Sequence, residues 1–209
     1  MKRVLASILL TVMSFSFLQA SETRRDFPRI TFGAEGNFIL TAATWRHFNY
    51  VADAGYRVNI KGYDYSPVFN GQILANIGCN ISGRVNLSLY SGYGGIYRKK
   101  TAVPLMLRVT YFWGKDPLAH RWFSCADTGV VTDGLEFSTA APCGRLGGGY
   151  RLSLSRSVKL DFLVTYQILS AHPEVTELVD GTETPVTGGR LRRSDVLINA
   201  VTFGIALNF

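Results

Sequence analysis

The last fourteen residues of the chain, Val196 to Phe209, end in a stretch that alternates between two kinds of side chain. From Ala200 to Phe209, every second residue is large and apolar, and the residues between them are small or weakly polar. The apolar set is Val201, Phe203, Ile205, Leu207 and Phe209. Because successive side chains of a β-strand point to opposite faces, this pattern predicts a strand with one apolar face and one face of small residues.

The same period of two recurs along the chain, between stretches rich in turn residues. Six further segments show it, at 30–40, 69–81, 85–97, 103–114, 145–154 and 158–168. A stretch from Leu118 to Cys125 is the expected eighth strand, although its alternation is poor. The chain is therefore predicted to be all-β, with eight strands.

The first twenty residues have the features of a secretory signal peptide. Lys2 and Arg3 precede an apolar stretch that ends near Leu18, and Ala20 is a small residue at the expected cleavage site. We therefore expect a cleaved segment 1–20 and one domain, 21–209. No later apolar run approaches the ~20 residues of a spanning helix. If the chain crosses a membrane, it must do so as a closed barrel, which satisfies every backbone group in lipid.

The two faces of the predicted strands indicate which side meets solvent. The polar face is mainly Gly, Asn, Ser, Thr and Ala, which suits a packed lumen better than the charged coat of a soluble barrel. Turns near 82, 115 and 155 are short, whereas connections 42–66, 126–142 and 172–193 are long. We predict an eight-stranded antiparallel up-and-down transmembrane barrel with short periplasmic turns and longer extracellular loops. A secreted lipocalin-like binding barrel is the alternative.

The signal peptide, the alternating strands and terminal Phe209 resemble the small OmpA/OmpX-type bacterial outer-membrane β-barrels. The resemblance covers the whole mature chain and implies a monomer in the bacterial outer membrane, in contact with outer-membrane lipid and lipopolysaccharide. It also implies that the barrel assembly machinery reads Phe203, Ile205, Leu207 and Phe209 as its signal. Because these features are architectural, they leave the function open. We expect a structural or surface-interaction protein with an extracellular partner still to be found; the alternatives are a lipid A-modifying enzyme and a narrow ion-conducting pore.

Charged residues on the predicted inner face form the first candidate site. They are Glu35, Arg108, Arg145, Arg151, Lys159 and Asp161. An eight-stranded barrel is just wide enough for its own side chains to fill it, so inward charges must pair with one another. We expect a salt-bridge plug, and a narrow ion path is the alternative interpretation.

Basic residues at the predicted extracellular end form the second candidate site. They are Arg46, Lys99, Lys100, Arg190, Arg192 and Arg193, and they account for much of the formal charge of +7 without a nucleic-acid partner. Arg and Lys bind phosphate groups well, so these residues are candidates to contact lipopolysaccharide. Ordinary solvated loop charge is the alternative. The aromatic residues of 42–66, among them Tyr56 and Tyr63, suit either a contact surface or an outer aromatic girdle.

The remaining candidate residues bear on a disulfide, on metal binding and on catalysis. Cys125 and Cys143 bracket a polar stretch and are predicted to pair across its base, with Cys79 left as a lone residue within a strand. The histidines and cysteines show no metal-ligand spacing, so no metal or cofactor is expected. The residues that suggest catalysis are His120, Ser124, Asp127 and Glu136. On one strand His120 and Ser124 would lie ~13 Å apart, far beyond the ~3 Å that a nucleophile and its base require, so we expect no enzyme.

Overall fold

The computed structural model describes residues 29–97, 100–114, 116–133, 136–179 and 182–209. The predicted signal peptide, 1–20, lies outside these residues. The strands are β1 (Ile30–Val51), β2 (Arg57–Asp64), β3 (Val68–Asn80), β4 (Val85–Tyr97), β5 (Lys100–Phe112), β6 (Arg121–Asp133), β7 (Glu136–Ser153), β8 (Lys159–Ala171), β9 (Thr176–Val179), β10 (Thr182–Pro185) and β11 (Leu191–Asn208). A 3-10 turn, Gly188–Arg190, precedes β11. Within the described ranges, no helix has the length and apolar character needed to cross a membrane.

Eight of these strands close into one antiparallel barrel. The order around the wall is β1, β3, β4, β5, β6, β7, β8 and β11, and β11 returns to pair with β1. The closing pair extends from Gly33 opposite Asn208 to Tyr50 opposite Leu191. Each barrel strand therefore has a partner on both edges, which is what a sheet needs in order to sit in lipid. The predicted eight-stranded antiparallel barrel is confirmed.

The alternation of side chains separates the lumen from the outer surface. On β8, Val164 and Tyr166 are about half exposed, whereas Leu163, Thr165 and Gln167 are buried. The other barrel strands show the same division, and their exposed positions are dominated by Ile, Leu, Val and aromatic residues. An exterior of this composition is solvated by lipid chains rather than by water.

Aromatic rings on the exterior gather at two levels. Near the short turns, Phe32 stacks on Phe209, with ring centroids 5.4 Å apart. Two further pairs lie at this level, Tyr111 with Trp113 and Trp122 with Tyr150. Towards the other end the stacked pairs are Phe38 with Phe69 and Tyr63 with Tyr65. Two aromatic girdles that flank an apolar band are typical of a transmembrane barrel.

The two ends of the barrel differ, as the sequence predicts. The short connections 81–84, 113–120 and 154–158 lie at the same end as Ile30 and Asn208. At the other end, β1 and β11 continue together past the neighbouring strands, and β2 pairs with the continuation of β1 from Thr44 to Val51. A register shift between Thr41 and Ala43 marks where this extracellular extension begins.

The predicted long loops are mostly strand, and the predicted fifth strand had both its ends wrong. The fifth barrel strand is β6, Arg121–Asp133, rather than Leu118–Cys125, and the predicted loop 126–142 contains the end of β6 and the start of β7. Asp127 and Gly129 look like loop residues but face the lumen. There a carboxylate can be paired, and a Cβ at Gly129 would lie 2.1 Å from the carbonyl oxygen of Leu105. Likewise, 42–66 is largely β1 and β2, and 172–193 contains β9 and β10.

Candidate functional site

Two arginines and two carboxylates meet at mid-height of the lumen, and we call Glu35, Arg108, Asp127 and Arg145 the lumen quartet. Arg108 donates to Asp127 from Nε at 2.8 Å and from Nη2 at 2.9 Å, and to Glu35 from Nη1 at 2.5 Å. Arg145 donates from Nε to Asp127 at 2.8 Å, and its Nη1 lies 3.8 Å from Glu35. All four side chains are almost fully buried, and their formal charges cancel.

Strand register explains how the lumen quartet assembles. Asp127 on β6 lies directly opposite Arg108 on β5 and Arg145 on β7. Glu35 reaches them from across the lumen, because β1 is adjacent to neither β5 nor β7. Two amides extend the network: Asn37 donates to Glu35 at 2.8 Å, and Gln72 accepts from Arg145 at 3.4 Å. The network thus ties opposite walls of the barrel together.

Apolar side chains pack the lumen on the extracellular side of the quartet. Met106, Val131, Cys143, Leu169 and Ile198 all belong to one buried cluster there. A region of this kind offers an ion no substitute for its water shell. The quartet and this apolar cluster thus lie one above the other in the lumen.

On the periplasmic side of the quartet, a polar cavity opens towards the short turns, and we call it the vestibule. It has a volume of about 50 Å³. Arg151 and Asp161 form a bidentate pair at its wall, at 2.7 and 2.6 Å, and Asn208 donates to the same carboxylate at 2.9 Å. Lys159 donates to the carbonyl oxygen of Ser155 at 2.7 Å.

The six charged residues proposed for the lumen from sequence fall into two groups. Glu35, Arg108 and Arg145 belong to the quartet, whereas Arg151, Lys159 and Asp161 lie at the vestibule. Two charged lumen residues were missed, Asp127 and Arg121. The available signal was the period of two that begins at Arg121, since Phe123, Cys125 and Asp127 all keep that phase.

The basic residues proposed to contact lipopolysaccharide have different surroundings. Three are already paired with carboxylates: Arg46 with Asp64 at 2.6 Å, Arg190 with Asp53 at 2.8 Å and Glu177 at 2.9 Å, and Arg193 with Asp195. Arg192 is exposed. Lys99 lies outside the described residues, and only the backbone of Lys100 is described.

An outward-facing group at the extracellular end surrounds Asp195. His47 lies opposite it in the β1–β11 register, and Nδ1 of His172 is 3.1 Å from its carboxylate. The hydrogen bond from Arg193, and then the charge of Arg193 and the proximity of His172 and His47, hold the pKa of Asp195 below its ordinary value. This group joins the connection after β8 to the extension of β1 and β11.

The residues that suggested catalysis are not brought together. Ser124 is on the outer surface and accepts a hydrogen bond from Nε1 of Trp113 at 3.1 Å, whereas Asp127 faces the lumen. His120 accepts a hydrogen bond from the backbone N–H of Ser153. The side chain of Glu136 is outside the described set. Among the described residues, no group of three or more His, Cys, Asp or Glu side chains is placed to hold a metal ion.

The predicted disulfide between Cys125 and Cys143 is wrong. Both cysteines are buried free thiols. In the β6–β7 pairing Cys125 lies opposite Gly147 and Cys143 opposite Gly129, so the two are four positions apart. That offset is ~13 Å along the strands, whereas a disulfide needs Cα atoms within ~7 Å. Cys79 is exposed on the outer face of β3.

The closed wall, its apolar exterior and its aromatic girdles define an integral outer-membrane β-barrel protein. No protein-family model matches the sequence, and no curated protein does. Similar solved structures include outer membrane protein AlkL (14% identity, 91% of this chain and 95% of that chain, TM-score 0.43). Another is outer membrane protein OprG from Pseudomonas aeruginosa (12%, 89% and 99%, 0.45). A third is outer membrane protease OmpT from Escherichia coli (5%, 91% and 99%, 0.45). Likenesses this distant transfer no function to this chain.

Proposed function

We propose that the chain is a monomeric structural or surface-interaction barrel of the OmpA/OmpX type with a filled lumen. The observation that carries this proposal is the lumen quartet beneath the apolar cluster. A conducting path would have to cross paired, fully buried charges and then a region of packed apolar side chains. Such a lumen serves as a rigid internal brace.

The extracellular extension supplies the surface for interaction. Arg190 bridges Asp53, in the β1–β2 turn, and Glu177, on β9, so the two extracellular hairpins are held together. Large side chains remain exposed on and beside β2, namely Tyr56, Ile60, Tyr63 and Tyr65. Aromatic side chains of this kind are enriched where proteins contact partners. The lowest pair, Tyr63 and Tyr65, also serves as part of the outer girdle.

Contact with lipopolysaccharide phosphates forms a second part of the proposal, with a changed set of residues. The best-placed cations are Arg57, Lys61 and Arg192, because they are exposed and Arg46, Arg190 and Arg193 already contact carboxylates. We also propose that residues 1–20 direct export. The barrel assembly machinery would then read the apolar residues at the end of β11 and just after it, namely Phe203, Ile205, Leu207 and Phe209.

Planar-bilayer recording separates the filled barrel from the narrow pore. The refolded mature chain is expected to give no stepwise conductance at voltages where a known porin conducts. A steady conductance that changes when Arg108 is replaced by Met would show that ions cross the quartet, and would refute the filled-lumen proposal.

A surface-interaction role is tested with the triple variant Tyr56→Ser, Ile60→Ser and Tyr63→Ser. Cells that display the wild-type barrel are expected to adhere to extracellular-matrix proteins or host cells more than cells without it, and the triple variant is expected to remove the difference. Tyr93→Ser, on the apolar exterior of β4, is the matched control. Equal adhesion of all four strains would contradict this role.

A further inference from the structure

The vestibule holds more basic than acidic side chains. Arg121, Arg151, Arg156 and Lys159 border it, together with a single acidic side chain, Asp161. Arg151 and Asp161 neutralise each other through their bidentate contact. The positive charge in excess therefore belongs to Arg121 and Lys159 at the wall and to the exposed Arg156 at the rim.

Arg121 is a buried cation that contacts no carboxylate among the described residues. Only 8% of its surface is exposed. Its Nη1 donates to the carbonyl oxygen of Gly83 at 2.6 Å, and its Nε is buried with no hydrogen-bond partner. Within the part of the chain that the structure describes, no carboxylate lies within ion-pair distance of it. A buried charge in this position is unfavourable unless an anion reaches it.

Another guanidinium adjoins Arg121, whereas the carboxylates of Asp161 and Asp116 act on it only from beyond ion-pair distance. Arg151 lies directly opposite in the β6–β7 register, and both guanidinium groups stack on the ring of Phe112, at 4.0 and 4.2 Å from its centroid. Stacking fixes the planes of the guanidinium groups, so their free N–H groups have set directions. Lys159 is held by neutral oxygens only, from Ser153 and Ser155.

The geometry points to an oxyanion site: we propose that the vestibule binds a phosphate-class group, with Arg121 and Lys159 as its cationic contacts. A guanidinium and an ammonium are the groups that proteins use for phosphate oxygens. The cavity, with a volume of about 50 Å³, has room for a compact tetrahedral group. Residues of all three short turns border the cavity, among them Ser82, Pro117 and Ser157, so the ligand enters from the periplasm.

Calorimetric titration of the refolded chain in neutral detergent tests the site. Two probes carry the shared chemistry: inorganic phosphate, and short-chain phosphatidylglycerol below its micelle concentration. Binding of phosphate identifies a soluble oxyanion as sufficient, whereas binding of the lipid alone identifies a headgroup of the inner leaflet. Arg121→Gln and Lys159→Gln are each expected to weaken binding by about tenfold or more, the loss typical of a charged hydrogen bond. Arg29→Gln, an exposed residue at the periplasmic end that does not line the vestibule, is the matched control and is expected to bind as wild type does.

Two further measurements distinguish a loss of binding from misfolding of the variants. Each variant must show the heat-modifiable gel shift of the wild type. In the wild-type chain, phosphate is expected to shift the ¹⁵N–¹H resonance of Arg121 Nε, which needs no substitution at all. Absence of binding of both probes to the wild type, equal binding by the Gln variants, or the same response to chloride at matched ionic strength would each overturn the proposal.

Discussion

Replacing Arg108 with methionine tests whether the lumen quartet stabilises the barrel. The substitution removes the contacts of Arg108 with Glu35 and Asp127 but leaves both carboxylates buried, with Arg145 as the remaining cation of the quartet. One negative charge is then uncompensated. Breaking a buried pair in this way costs about 3–5 kcal/mol. We therefore expect the unfolding equilibrium constant to rise by a factor of about one hundred or more.

A second substitution separates the effect of charge from the effect of lost packing. Glu35→Gln in the Arg108→Met background restores neutrality, because Asp127 still pairs with Arg145 at 2.8 Å. The double variant is expected to be more stable than Arg108→Met alone by about 1–2 kcal/mol, a coupling of the size seen between residues in one network. Glu35→Gln alone leaves an unpaired arginine and is expected to destabilise the barrel.

Urea unfolding in lipid vesicles, followed by tryptophan fluorescence and the heat-modifiable gel shift, measures both effects. Trp113 and Trp122 lie on the exterior, so their emission reports removal from lipid. Arg57→Met, at the exposed extracellular hairpin, is the control and is expected to unfold as the wild type does. If Arg108→Met unfolds within about 1 kcal/mol of the wild type, or if the double variant gains nothing, the quartet is not a stabilising brace.

Three further predictions concern the barrel wall, the two buried cysteines and the extracellular end. Gly147→Ala places a Cβ 2.1 Å from the backbone oxygen of Val164. It is expected to lower the free energy of unfolding by about 1–3 kcal/mol in the same assay. Gly144→Ala is the control and is expected to be tolerated, because the nearest atom to its Cβ is 3.8 Å away. Non-reducing peptide mapping is expected to find Cys125 and Cys143 as free thiols, and a linked peptide would show that β6 and β7 pair in another register. Arg190→Gln should speed proteolysis within 172–190 because the contacts with Asp53 and Glu177 are lost, and Arg192→Gln is its control; equal rates would mean that the bridge does not hold the loop.

The barrel strands can be predicted from local sequence, because apolar and polar side chains alternate along a strand whose two faces have different surroundings. Segments such as 158–168 and 200–209 keep that period without interruption, and the structure has both within barrel strands. The full length of β6 was not predicted because its lumen-facing positions include Asp127 and Gly129. These two residue types are common in loops. A charged residue within a strand pattern indicates a loop unless the residues that pair with it are known. The partners of Asp127 lie on the two adjacent strands and cannot be identified from local sequence.

Long-range pairing set the limit of the sequence analysis. Glu35 and Arg108 are 73 residues apart, and period alone shows that both point inward but not that they lie at the same height. Height depends on the register of every strand between them. The disulfide prediction failed for the same reason, since a register offset of four positions separates two cysteines that face the same lumen.

The order of layers along the lumen links the two proposals. From the periplasm, a solute meets first the vestibule with its excess of positive charge, then the neutral quartet, then the apolar cluster. Beyond Arg121 the next cations towards the quartet are Arg108 and Arg145, and both already contact Glu35 and Asp127. Because the way forward is closed by paired charge and apolar packing, an anion held by Arg121 must leave through the mouth by which it entered. Under both proposals, the quartet that braces the barrel also makes the vestibule a binding site and not the first step of a channel.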